Sequence, residues 1–366
     1  MNSIESSYQK NSLFTSDNYE IPLFDKDYTN YLNRSIVLYG SSASGKSMIM
    51  RDILYTLKDY IPNMCVICPT NNLNRSYNDI IPTQLIYSEV TEDLIKKIFN
   101  RQKVAVKMYN MTNDLDKLKE IYSKLYEKNN IRLMTIMEGY NIIKNKFKSN
   151  HNIHISEKKI KLQELDEEHN KNLIIFYKEV ITKNKSIIDK NNKLDEIEIR
   201  IVNYININPN FLIIIDDAAV SASVWSKYQE VKELFFNGRH HKITFMISFQ
   251  DDKLLESSLR KNAFINIFTT QITCNSFFER TANNFTKSEK VKMAKLSNFI
   301  FNDEKLKNKN YKKLIYIKDR NPTTYYTIAN YYDDFQFGSK HLYNLCDKVK
   351  KNEDKNEDDY EFSSFF

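Results

Sequence analysis

Ser35-Ile36-Val37-Leu38-Tyr39-Gly40-Ser41-Ser42-Ala43-Ser44-Gly45-Lys46-Ser47 is the stretch on which the fold of this 366-residue chain turns. Its first part is a short apolar run bounded by glycine, which reads as a buried strand. Residues 40–47 then match GxxxxGK[ST] in full. Beyond them Ile49, Ile53, Leu54 and Leu57 recur at helical spacing until Pro62. Strand, loop and helix in that order are the context in which this motif cradles phosphates. Glycine lets the loop's N–H groups turn inward around an anion, and the helix N-terminus adds partial positive charge. A lysine in this position reaches the β and γ phosphates, and the hydroxyl after it suits Mg²⁺. Gly40, Ser41, Ser42, Ala43, Ser44, Gly45, Lys46 and Ser47 are therefore expected to bind ATP, with Mg²⁺ on Ser47. Only five glycines occur in the chain, and two stand in this loop, which points to backbone need.

Working outward, residues 64–68 read as a second buried strand, 85–87 as a short one, 211–215 and 243–249 as two more, and 264–268 as another. Residues 314–317 and 325–329 read as a terminal strand pair about Asn321-Pro322. Residues 69–82 are expected as loop, and helical spacing occupies other gaps, with one helix expected over 224–237. Strands alternating with helices predict an α/β fold: a P-loop NTPase with a mostly parallel central sheet flanked by helices. Between residues 83 and 208 there is no proline and one glycine, Gly139. Leu115, Leu118, Tyr122 and Leu125, then Ile160, Leu165, Leu173 and Tyr177, recur at helical spacing among charges. This predicts a long helical insertion, residues 112–204, between the phosphate loop and the second acidic strand. The expected organisation is a lead-in over 1–33, core over 34–111 and 205–350, and an acidic disordered tail over 351–366.

The run Phe211-Leu212-Ile213-Ile214-Ile215 ends in Asp216-Asp217, at the sheet edge where α/β proteins bind ligands. Asp216 is expected to hold Mg²⁺ through water. Asp217, pointing the other way because neighbouring strand residues alternate faces, is expected to orient or deprotonate the attacking water. Gln250 closes the strand Ile243–Phe249 and is expected to sense the γ-phosphate or position water.

Composition narrows the class. The hydrophobic and charged fractions, 41% and 28%, are those of a globular protein. No apolar run of about 18 residues occurs, and residues 1–10 lack a signal pattern, so a soluble intracellular protein without membrane insertion is expected. Four cysteines are too few for a disulfide scaffold. Cys65 and Cys68 have CxxC spacing, but in a strand residues three apart face opposite ways, so they read as buried side chains. His240-His241 lacks a supporting Cys or carboxylate cluster and reads as structural. The net charge is +7, although residues 352–366 hold six acids against one base. A basic body of this kind suits a polyanion partner, and a Lys-rich composition alone also produces it.

These segments carry a likeness. GSSASGKS at 40–47, CPTNNLNRSYNDIIP at 68–82, FLIIIDD at 211–217, NGRHHKITFMISFQD at 237–251 and SLRKNAF at 258–264 together resemble the FtsK/HerA superfamily of DNA-pumping ATPases. Within it the chain is most similar to the poxvirus-type genome-packaging ATPases of large nucleocytoplasmic DNA viruses, over about 200 residues of core. The resemblance implies an ATP-hydrolysing double-stranded DNA translocase that packages a viral genome into the capsid. It implies a homo-oligomeric ring, capsid or portal-like partners, and action at assembly sites in the host cytoplasm or in the virion. It makes Arg239 and Arg260 candidates for an arginine donated to a neighbouring subunit's γ-phosphate. The chain departs from the wider superfamily in carrying Asp217 where glutamate is common, and in its long insertion. Two other classes stay open at this point: a small-molecule P-loop kinase and a nucleotide-regulated scaffold.

Overall fold

A computed structural model describes residues 12–353 apart from 16, 127–129, 151–153, 185–192, 220 and 303–311. The acidic tail beyond 353 and the opening of the lead-in lie outside the described residues. The chain divides into two compact units, Met1–Gln102 with Asn210–Phe366, and Lys103–Pro209.

The first unit is built on an eight-stranded sheet. Its strands are β3 (Ser35–Tyr39), β4 (Asn63–Ile67), β5 (Ile86–Tyr87), β6 (Phe211–Ile215), β7 (Ile243–Phe249), β8 (Ile265–Phe268), β9 (Lys312–Tyr316) and β10 (Thr324–Ile328), and a separate ribbon pairs β1 (Ser12–Phe14) with β2 (Glu20–Pro22). The order across the sheet is β10-β9-β8-β3-β7-β6-β4-β5. From β8 to β5 every pairing is parallel, and the β9–β10 hairpin adds an antiparallel edge. The fold is thus the α/β P-loop arrangement that the motif implied.

Strand alternation sorts the apolar residues into two cores. Val37, Tyr39, Phe211, Ile213, Ile215, Phe245 and Phe249 enter one, Ile36, Leu38, Leu212, Ile214, Met246 and Ile267 the other. The helix Glu92–Thr112 lends Ile95, Ile98 and Phe99 to the first face, and Lys46–Leu57 lends Ile49, Ile53 and Leu57 to the second. A sheet buried on both faces needs continuous apolar strands, which is why 211–215 has no polar residue. Cys65 and Cys68 fall into opposite cores, both as free thiols. Among the described residues no cluster of three or more metal-ligating side chains forms, and no helix is long and apolar enough to cross a membrane.

Local departures have local causes. The helix expected over 224–237 breaks into Ala222–Trp225 and Gln229–Asn237. Trp225, the only tryptophan, is buried and donates from Nε1 to the Ala218 carbonyl at 3.0 Å. That bond anchors the first short turn beneath the acidic strand. The segment 69–82, expected as loop, contains the helical turn Asn71–Asn74.

The second unit has its own core, in which Leu118, Ile121, Phe176, Tyr177, Ile181, Ile201 and Val202 meet. The helices Leu115–Leu125, Ile155–Lys183 and Glu196–Asn203 supply them. The helix Ile131–Ser149 buries no residue fully, and it pairs with Ile155–Lys183 through Tyr140 stacked on His169, Lys144 bonded to Asp166 and Arg132 bonded to Glu179. Ile160, expected on a core face from its spacing, is 58% exposed there.

Ile214→Ala in β6 is expected to cost about 2–5 kcal/mol, since it empties a fully buried site. Exposed Ile272→Ala should stay within about 0.5 kcal/mol. Urea titration followed by Trp225 fluorescence measures both in the first unit.

Candidate functional site

The phosphate loop leaves β3 at Tyr39, and the Gly40 amide donates to the Phe249 carbonyl of β7 at 3.0 Å. Ala43 and Gly45 take left-handed backbone, φ 59° and 85°, and the helix begins at Lys46 with Gly45 as its N-cap. Gly40 is required for a different reason. A Cβ there would lie 1.7 Å from the Thr269 hydroxyl and 2.5 Å from that of Ser44, two groups bonded to each other at 2.6 Å. The Lys46 ammonium donates to the carbonyls of Gly40 at 2.8 Å and Ser41 at 2.9 Å. Burial lowers its pKa, and the Asp217 and Asp216 carboxylates oppose that shift. Ser41, Ser42, Ala43 and Ser47 are exposed along the outside of the loop and the first helical turn.

Asp216 follows β6 and is 5% exposed. Its carboxylate accepts from the Ser248 hydroxyl and from the Tyr77 hydroxyl, the latter at 2.8 Å. Burial raises its pKa, the two hydroxyls work against that, Asp217 adds to it and Lys46 opposes it. Asp217 stands beyond the strand with φ 55°. Strand alternation therefore ends before it, and a left-handed turn aims its side chain to where Thr70 donates to Oδ2 at 3.1 Å. Left-handed backbone at a non-glycine residue is uncommon, and such strain gathers at functional sites.

Gln250 is exposed immediately after β7, the strand lying between β3 and β6. Lys46, Asp216, Asp217 and Gln250 thus stand past the C-terminal ends of three adjacent central strands, β3, β6 and β7. The two arginines do not join them. Arg260 is 6% exposed, and its guanidinium donates to the carbonyls of Leu255 and Asp252 and to Asn283 Oδ1 at 3.0 Å. Within this chain the Arg260 guanidinium is spent on three internal acceptors and holds the turn after β7. Arg239 is exposed just before β7 begins, at the far end of the sheet from the loop.

Several residues at the site were not legible as site residues. Tyr77 and Thr70 lie in the polar segment after β4, Ser248 inside an apolar strand, and Thr269 just past β8. Lys313, on β9, donates to the Ser44 carbonyl at 3.2 Å, and burial pushes its ammonium down to about 8. An alternating Lys in a late strand carries no signal of its own; only the sheet order brings it under the loop.

Asp216→Asn keeps an acceptor for one hydroxyl and a donor for the other while removing a buried charge beside Asp217. In metal-free buffer it is expected to raise the melting temperature by about 2–4 °C, the size of roughly 1 kcal/mol. A carboxyl with a raised folded pKa binds its proton longer in the folded state, so wild-type stability falls as pH rises from the ordinary carboxylate value through the raised one. The Asn variant should lack that limb, as thermal melts across pH will show.

No family model matches the chain. Among solved structures it is similar to B204, the DNA-packaging ATPase of Sulfolobus turreted icosahedral virus, at 16% identity over 82% of this chain and all of that one, with a TM-score of 0.36. It is also similar to the pCW3 conjugation coupling protein TcpA, at 12% identity over 93% of this chain and 69% of that one, with a TM-score of 0.34. In sequence it is 23% identical over 231 residues to protein L437 of Acanthamoeba polyphaga mimivirus, covering 63% of this chain and 50% of L437. Protein B354L of African swine fever virus is 30% identical over 344 residues, 88% of this chain and 90% of that protein. With a match of that extent, the chain belongs to the B354L family of large DNA virus proteins.

Proposed function

We propose that this chain hydrolyses ATP to drive double-stranded DNA into a viral capsid. The observation that carries the reading is the position of Lys46, Asp216, Asp217 and Gln250 past the same ends of three adjacent strands, beside a complete phosphate loop. A binding loop alone needs no carboxylates behind it. Two acids and an amide beside that loop suit hydrolysis, in which a γ-phosphate and an attacking water must be held.

In this reading Lys46 exchanges the Gly40 and Ser41 carbonyls for the β and γ phosphates, and the amides of residues 41–47 surround them. The donor set for Mg²⁺ is all oxygen, as that ion prefers: the Ser47 hydroxyl, with Asp216 behind a water. The two hydroxyls already on the Asp216 carboxylate agree with an indirect contact. Bound there, Mg²⁺ would neutralise charge on the phosphates. Asp217 accepts the proton of the attacking water or orients it. Gln250 reads the γ-phosphate from the end of β7.

The remaining elements follow from the same reading. Arg239 stands a strand's length, about 15–20 Å, from its own loop, so it could reach only a nucleotide held by another copy, as in a homo-oligomeric ring. The basic body and the membership of a large DNA virus family support duplex DNA as the polymer and infected cells as the place of action.

The test is steady-state ATP hydrolysis by the full chain with and without linear duplex DNA. Several-fold stimulation by duplex is expected. Asp217→Asn should lower turnover at least about 100-fold while leaving ATP binding within a few-fold, the mark of a group used after binding. Hydrolysis indifferent to DNA would remove the translocase reading, and a phosphorylated small-molecule acceptor would replace it with a kinase.

A further inference from the structure

At the end of the sheet away from the phosphate loop, four strands deliver cations to one hollow. Arg34 precedes β3, Arg239 precedes β7, Lys261 precedes β8, and Lys318 follows β9, which runs the opposite way. They line a cavity of about 210 Å³ in which Asp319 is the one acid among the described lining residues. A second cavity, of about 460 Å³, shares Lys261, Lys318 and Asp319 with the first and continues to Lys292 and Glu289. The Glu289 carboxylate is already held by the amide and hydroxyl of Thr286, both at 2.7 Å.

This is not the chain's usual surface. Across the whole sequence 54 bases face 47 acids, a nearly even mixture. Along these two hollows five cations face two carboxylates, one of them engaged. Gathering like charges in a concavity costs free energy unless an anion enters. The crowding is felt by Arg34, whose pKa is lowered by burial and by Arg239 and Arg320. Arg34 is also fixed in place, its guanidinium lying 4.1 Å over the Phe264 ring. A prefixed guanidinium with lysines beside it suits phosphate oxygens. Two adjoining hollows suit a chain of phosphates better than a single ion.

We propose that this face is a second anion site, which grips consecutive phosphates of a DNA backbone at the sheet end opposite the ATP loop. The proposal deepens the translocase reading and rests on it for the identity of the polymer. It also gives Arg239 a use within one copy. Binding here would be backbone-directed, indifferent to sequence and steeply dependent on salt.

The experiment is fluorescence-anisotropy titration of a labelled linear duplex with the full chain across a salt series. It compares wild type with Lys261→Glu/Lys318→Glu, a charge-matched control Lys227→Glu/Lys253→Glu, and Lys46→Ala. Thermal melts confirm that each variant folds. The pocket pair is expected to weaken duplex binding at least about tenfold and to flatten the log–log salt slope by about 2, near 0.9 per phosphate contact. The control pair and Lys46→Ala should bind duplex within about threefold of wild type. Equal loss in both charge-reversed pairs, or no loss in the pocket pair, overturns the proposal while leaving duplex-stimulated ATPase, measured in parallel, free to stand. Duplex binding unchanged in the pocket pair with hydrolysis lost would instead make the hollow a receptor for a neighbouring copy's nucleotide. A wild type that ignores duplex but binds inorganic phosphate, with the pocket pair losing it, would make it a free-phosphate site. If wild type binds no duplex and DNA leaves hydrolysis unchanged, the proposal and the DNA reading fall together.

Discussion

The in-register parallel pairing of β3 with β7, and of β7 with β6, is the constraint on which the candidate site rests. Tyr39 lies level with Phe249, and Ile215 with Ile247. One step further along each strand brings Gly40 beside Gln250 and Asp216 beside Ser248. The hydroxyl that holds the buried carboxylate is therefore its cross-strand neighbour. The same row continues through β8, where Phe268 is level with Tyr39, so Thr269 meets Gly40, and through β9, where Leu314 faces Phe268 and Lys313 comes next. A residue inserted in any one of these strands would break the row, because a one-residue slip turns every side chain to the other face.

The site carries local costs that the rest of the sheet absorbs. Asp216 is a desolvated acid beside a second acid, Lys46 and Lys313 are desolvated bases, and Asp217 sits in left-handed backbone. Each is unfavourable alone. They persist because two apolar cores clamp β6 and β7 from both faces, with Phe211, Ile213, Phe245 and Phe249 on one side and Leu212, Ile214 and Met246 on the other. Stability spent in this manner is what a site prepared for a highly charged ligand requires. Hydroxyls from Ser248, Tyr77 and Thr70 keep the carboxylates satisfied and aimed.

Much of this was readable in the chain. The buried strands are continuous apolar runs, and β3, β6 and β7 are found at or within a residue of where those runs place them. The loop motif and the acid pair are local in sequence, so they could be read without the fold. What could not be read depends on register and sheet order, which are non-local. Nothing about Thr269, Lys313 or Tyr77 as isolated residues indicates that they border the loop or the acids. Asp217 was expected to point by strand alternation, but it owes its direction to a left-handed turn that no composition signal marks. Arg260 was placed at a subunit contact by the resemblance, whereas its three internal acceptors become visible only when the turn after β7 folds over it.

The most direct measurement is equilibrium binding of Mg–ATPγS to the full chain by isothermal titration calorimetry, with Lys46→Ala alongside. The expected result is saturable one-site binding by wild type and a loss of about 10- to 100-fold in the variant, the cost of removing a charge-assisted contact to phosphate. Absence of binding by wild type, or equal affinity in both proteins, would contradict the assignment of residues 40–47 and their neighbours as a nucleotide site.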